Sequence, residues 1–123
     1  MSAWKLPDAV PGERFDLERT GDGFSILRKR DQARVGAIVL DREETRTTIR
    51  SLCVDEAHRS YGAGSEAARL LTSAADAAGM PLLRTWAHPN LGLSVYFWIR
   101  MGFSPLHGEG PEGGIWFERR RDA

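Results

Sequence analysis

The chain has little with which to cross-link itself, span a bilayer or attract a polyanion. A single cysteine, Cys53, in 123 residues excludes an internal disulfide framework, and with no recognisable secretory leader the expectation is a reducing, cytoplasmic setting. No apolar run approaches the roughly 20 residues that cross a membrane as a helix. Charges cancel, 17 basic against 17 acidic, so no net field draws in nucleic acid or an anionic surface. The two basic runs, Arg28-Lys29-Arg30 and Arg119-Arg120-Arg121, are short, have acids close by and read as solvated strand ends. Internal repeats and low-complexity tracts are absent. The length suits one domain, residues 1–123, burying roughly 65% of its extended-chain surface, enough for stability without a structural metal; no metal is expected.

What is present is a change of period near the middle. Residues 1–12, with Pro7 and Pro11, read as an irregular arm. Phe15 to Arg19 reads as a strand, and Gly21-Asp22-Gly23 is turn chemistry that leads into a second, Phe24 to Arg30. The run Val35 to Leu40 suits a central strand buried on both faces. Thr45 to Val54 is rich in β-branched residues and forms the next. From Ala63 to Ala78 the apolar positions Ala67, Leu70, Leu71, Ala74, Ala77 and Ala78 follow a helical period, stopped by Gly79 and Pro81. Leu82 to Ala87 is a strand, and Asn90 caps a second helix, Leu91 to Met101, closed by Gly102. That helix is apolar on nearly all sides, which predicts enclosure or a bound ligand against it. A loop from Ser104 to Gly114, with four glycines and two prolines, precedes a last strand, Ile115 to Arg120. This order predicts an α+β (α/β layered) fold: a mixed, mostly antiparallel sheet of about six to seven strands carrying two main helices. The strands flanking the first helix are expected to be parallel neighbours.

The most informative segment runs from Leu52 to Gly64, a strand end passing into a helix start. Glycines at such a junction let several backbone N–H groups face one anion, aided by the positive end of the helix dipole. Gly62 and Gly64 lack the side chains that would keep a pyrophosphate from the backbone, and Arg59 adds a cation at the rim. The same glycines also suit a tight turn and close helix packing. Gly62-Ala63-Gly64-Ser65-Glu66-Ala67 matches the loose dinucleotide pattern G-x-G-x-x-A, but seven residues separate it from the preceding strand, and that fingerprint follows its strand at once and has an acidic residue about 20 positions on.

Leu52-Cys53-Val54 followed by Arg59-Ser60-Tyr61-Gly62-Ala63-Gly64 resembles the acyl-CoA motif of the GNAT superfamily of N-acetyltransferases. Asn90 through Ser94 to Phe97-Trp98-Ile99-Arg100-Met101-Gly102-Phe103 resembles its second hallmark, an Asn-capped helix ending in an aromatic residue, three residues and Gly-Phe. The resemblance implies acetyl transfer from acetyl-CoA to a primary amine by direct attack. It also implies roles. The backbone of Leu52, Cys53 and Val54 would hold the pantetheine arm, with the Val54 N–H on the thioester carbonyl. Amides of Arg59, Ser60, Tyr61, Gly62, Ala63 and Gly64 would hold the pyrophosphate, and Asn90 would meet the cofactor. The strands ending at Val54 and Ala87 would splay around the CoA arm, with Trp98 and Trp86 facing its channel.

Three departures qualify the resemblance. Trp98 stands where relatives commonly carry a Tyr, and an indole N–H cannot protonate a thiolate; Tyr96 lies about 200° around the helix. A base is not evident on the strand Thr45 to Val54: Glu43 and Glu44 lie in the loop before it, and His88, at a strand end, has suitable chemistry or is hydrogen-bonded to solvent or backbone. His58 adjoins the phosphate loop. Only four residues separate Arg19 from Phe24, where relatives insert helices that wall the acceptor, so that side would be open or closed by the arm, by the Ser104–Gly114 loop or by a second copy in a homodimer. The alternative function is a non-catalytic acyl-CoA-binding or regulatory module of the same fold.

Overall fold

Turn chemistry and side-chain alternation fold the first half of the chain into an antiparallel meander. It comprises β1 (Ala9–Val10), β2 (Phe15–Thr20), β3 (Gly23–Arg28), β4 (Arg34–Arg42) and β5 (Thr47–Val54). The computed structural model describes residues 5–58, 62–87, 92–110 and 113–121. After a single 3-10 turn at Glu56–His58, α1 (Ala63–Ala77) crosses to β6 (Leu82–Ala87), α2 (Gly92–Arg100) crosses to β7 (Ser104–Glu109), and β8 (Ile115–Arg120) returns between β6 and β7. Among the described residues the sheet has eight strands in the order β1-β2-β3-β4-β5-β6-β8-β7. As expected, β5 and β6 are parallel; the other neighbours run antiparallel.

Both helices serve one core on one face of this sheet. Alternating residues Leu17, Phe24, Ile26, Ile38, Leu40, Ile49, Leu83 and Phe117 are buried there, under the small-residue face of α1 formed by Ala63, Ala67, Ala68, Leu71 and Ala75. Alanines let the helix sit close to the strands, while Leu71 fills the space between; burying such a side chain contributes about 2 kcal/mol. Toward its C-terminus α1 is tied to β8 by Asp76, which accepts two hydrogen bonds from the Arg119 guanidinium at 2.8 Å each. That pairing holds the Asp76 carboxyl below its ordinary value of 3.8 despite partial desolvation.

Four expectations need correction. Residues 1–12 are not wholly irregular, because Ala9 and Val10 pair with Glu18 and Leu17 and Leu6 is buried in the core; Pro7 and Pro11 hid an edge strand too short to show a period. The Ser104–Gly114 loop contains β7, whose Pro105 is tolerated because β7 is a sheet edge. The run Val35 to Leu40 is not buried on both faces, since Val39 is 40% exposed on the face that carries no helix. And α2 is not enclosed: Tyr96 and Ile99 are 61% and 48% exposed, so its apolar character exceeds what its packing uses.

Candidate active site

The sheet opens at its one parallel pair. Among the described residues β5 and β6 are in register at Thr47↔Leu83 and Thr48↔Arg84, and the Thr85 hydroxyl donates to the Ile49 carbonyl at 3.0 Å. Among the described residues no register pair joins β5 and β6 beyond Thr48 and Arg84. The departure coincides with a bulge. Val39 faces Ser51 while Leu40 faces Ile49, so Arg50 is an extra residue on β5, and such an insertion bends its strand. β5 stays with β4 on its other side, where Asp55 donates to the Val35 carbonyl at 2.8 Å. Strand alternation therefore turns the amides of Leu52 and Val54 toward the gap.

The gap leads to the start of α1. Gly62 is the N-cap residue, in the left-handed conformation with φ 85°, and supplies no capping side chain. The first-turn N–H groups of a helix lack intrahelical acceptors and carry the positive end of its dipole. Gly64 distinguishes between the two readings of the glycine motif. A Cβ there would meet Leu52 Cδ2, Val54 Cγ2 and Phe97 Cε1 at ordinary contact distances of 3.7 to 3.9 Å, so close helix packing does not require the glycine. What its absence of side chain leaves is space between the helix start, the strand end and α2.

A cation is fixed beside this turn by a contact between the arm and the helix. One oxygen of Glu66, in the first turn of α1, accepts three successive backbone N–H groups from Glu13, Arg14 and Phe15 at 2.7, 2.9 and 3.0 Å. The carboxylate also complements the helix dipole. With its backbone so held, Arg14 places Nη2 2.9 Å from where a Cβ on Gly62 would lie. A cleft of about 810 Å³ continues from there, bounded by Arg14, Phe15, Lys29, Val35, Ala57 and His58. Lys29 meets Asp16 at 2.9 Å, and Arg28 holds Asp31 at a pKa of about 2 through hydrogen bonds. A smaller cavity of about 410 Å³ lies at the other end of the strands, under Arg19, Asp22, Phe24 and Leu40, with Arg50 at its wall.

The structure brings Leu52, Val54, Gly62, Ala63 and Gly64 together at the mouth of the gap. Cys53 is exposed on the opposite face, its thiol unbridged. Arg59, Ser60, Tyr61, His88 and Asn90 lie outside the described residues. The Trp98 indole is 5% exposed and packs edge-on against Phe97 and Phe103, with ring centroids 5.0 Å away in each case. The aromatic ring nearest Gly64 is instead that of Phe97. Phe97 stood in the helix motif without a role of its own, and Arg14 did not stand out in the sequence. Phe97 is one helical position from Trp98, and Arg14 reaches the site from 48 positions before Gly62, so Arg14 had no local signal. No cluster of three or more metal-ligating side chains occurs among the described residues, and none of their helices is long and apolar enough to cross a membrane.

A parted parallel strand pair next to an uncapped helix start is the geometry to be compared with known proteins. The family model for GNAT acetyltransferases matches residues 2–103, and the chain belongs to that family. A GNAT family acetyltransferase from Elizabethkingia anophelis, solved with acetyl-CoA bound, superimposes with a TM-score of 0.65 at 18% identity, over 80% of this chain and 76% of that one. A GNAT family acetyltransferase from Bacillus anthracis gives 0.75 at 12% identity, over 89% and 95%. The PaiA N-acetyltransferase from Thermoplasma acidophilum, in complex with coenzyme A, gives 0.64 at 16% identity, over 80% of this chain and 59% of that one. At these identities the likeness concerns the fold. No curated protein matches the sequence.

Proposed function

We propose that the protein is an N-acetyltransferase that binds acetyl-CoA along the β5–β6 gap and transfers the acetyl group to a primary amine. The observation that carries this reading is the coincidence of three features: the two-register pairing of β5 and β6, the left-handed Gly62 at the start of α1, and the space left at Gly64. The pyrophosphate is held by the amides of Gly62, Ala63 and Gly64 with those of Arg59, Ser60 and Tyr61, and Arg14 and Arg59 supply positive charge. The nucleotide end extends into the cleft by Phe15, Val35 and His58. Leu52 and Val54 direct their amides to the pantetheine arm, and the Val54 N–H stabilises the charge that develops on the thioester oxygen. Phe97, backed by Trp98, walls the arm on the α2 side, and Asn90 meets the cofactor there.

The amine nitrogen attacks the thioester carbonyl carbon. As the C–N bond forms the C–S bond breaks, CoA leaves as the thiolate, and the proton lost by the amine passes through His88 or water to solvent, which also protonates the thiolate. Isothermal titration with acetyl-CoA tests the reading: binding with a Kd in the micromolar range is expected, and no binding up to millimolar concentration sinks it. One observation favours the alternative of a non-catalytic acyl-CoA-binding module, namely that Trp98 is buried where an acidic hydroxyl would serve. Thiol release on a panel of amines separates the two, since turnover on any of them excludes the silent module.

A further inference from the structure

We infer that the acceptor is an amino-carboxylate, an amine bearing a carboxylate on a compact apolar body, and that Arg84 binds the carboxylate. This rests on the acyl-CoA reading above and deepens it. If the helix-bearing face receives the nucleotide and the pantetheine arm fills the gap, the attacking amine reaches the thioester from the other face. Among the described residues that face carries no helix. Beside the gap it presents Trp86 from β6 and Trp116 from β8, directly opposite one another in register and in edge contact at 5.8 Å. They form a half-buried aromatic platform.

Arg84 stands on the same face one pair lower, and its orientation is informative. Directly across from it is Glu118, the ordinary partner for a cation at that position. Arg84 does not take it. Glu118 accepts from Arg120 at 3.0 Å, and the Arg84 guanidinium lies over the Trp116 ring, 3.9 Å from its centroid, toward the open end of the gap. Its Nε is buried without an acceptor, and among the described residues no carboxylate pairs with it. A carboxylate taken by the two Nη groups, in the paired form guanidinium favours, would supply the anionic partner that this guanidinium lacks. Other charged groups of this face stand apart from Arg84: Asp41 is two strands away, across Thr48, Arg34 donates to Ser25, Arg120 to Glu118, and Arg50 lines the cavity at the far end of the strands. The stacked ring fixes the fork in advance, so little side-chain freedom is lost on binding.

The test is binding of L-leucine, L-methionine and L-phenylalanine, each against its carboxamide, to the CoA-saturated protein, followed by tryptophan fluorescence. At least one acid is expected to bind about tenfold more tightly than its amide. Arg84→Gln should bring acid and amide to equal affinity without changing CoA affinity, and Arg84→Lys should restore only part of the difference. Equal binding of acid and amide to the unmodified protein, no binding of either, or a preference that survives Arg84→Gln overturns the inference while CoA binding stands. Failure of CoA itself to bind overturns the underlying reading and this inference with it.

Discussion

The two faces of the sheet are made by alternate residues of the same strands, yet they are built for different purposes. One carries Ile38, Ile49, Leu83 and Phe117 under α1, each almost inaccessible to solvent. The other carries Ser25, Val39, Cys53, Arg84, Trp86 and Trp116, with Val39 and Cys53 exposed. The difference teaches that the proposed cofactor side is preformed by packing, because the helix whose N-terminus borders the gap is also the lid of the core. The acceptor side owes little to packing. The tight β2–β3 turn inserts no helix over it, and among the described residues no helix packs there.

The sharpest way to break that comparison is to attack both faces with matched substitutions. Phe117→Ala removes a fully buried ring and is expected to cost about 4 kcal/mol in denaturant unfolding, whereas Val39→Thr on the bare face should stay within about 0.5 kcal/mol; similar costs would mean that something covers the second face. Next in size is Gly62→Ala. An L-residue in the left-handed region costs about 1–2 kcal/mol, and the new Cβ would press on Arg14, so acetyl-CoA affinity by titration should fall about tenfold as stability drops. Arg14→Gln separates the two effects, lowering CoA affinity severalfold with the melting temperature nearly unchanged. Glu66→Gln keeps the shape but weakens the hold on the arm; it should mimic Arg14→Gln in affinity and speed amide exchange at Glu13 to Phe15.

The smallest expected effect is at the far end of α1, where Asp76→Asn should cost about 1 kcal/mol at neutral pH, since the pair is partly solvent-exposed. Its pH dependence has a definite sign. The Asp76 carboxyl is held below 3.8, so the folded state binds its proton less readily than the unfolded chain, and the pair's contribution is complete above the unfolded value. It is lost as pH falls through the depressed folded value. Stability curves of the unmodified protein and Asp76→Asn should therefore diverge above about pH 4 and converge on further acidification.

Much of the fold was legible because it is locally encoded. The β2–β3 hairpin follows from Gly21-Asp22-Gly23, and α1 from the spacing of Ala67, Leu71, Ala74 and Ala78. The elements misread were those whose character depends on neighbours. β1 is two residues long and exists only as a partner for β2, β7 is hidden behind Pro105 and glycines, and the exposure of Val39 depends on a missing layer. The candidate site divides in the same way: Leu52 to Gly64 was proposed from its own residues, while Arg14, Glu66 and Arg84 had no local signature.

By itself, then, the sequence determined that this chain has a glycine turn between a strand and a helix, because glycine's access to positive φ and the helix start are properties of a few consecutive residues. It also determined what is scarce, a lone thiol and no net charge, and hence that attraction must be local. Only the tertiary structure decided which charges are local. Arg14 reaches Gly62 because Glu66 gathers three amides from the arm, and Arg84 leans over Trp116 because Glu118 is taken by Arg120. Those are choices among partners distant in sequence, settled by which groups the folded chain brings within hydrogen-bonding or stacking range.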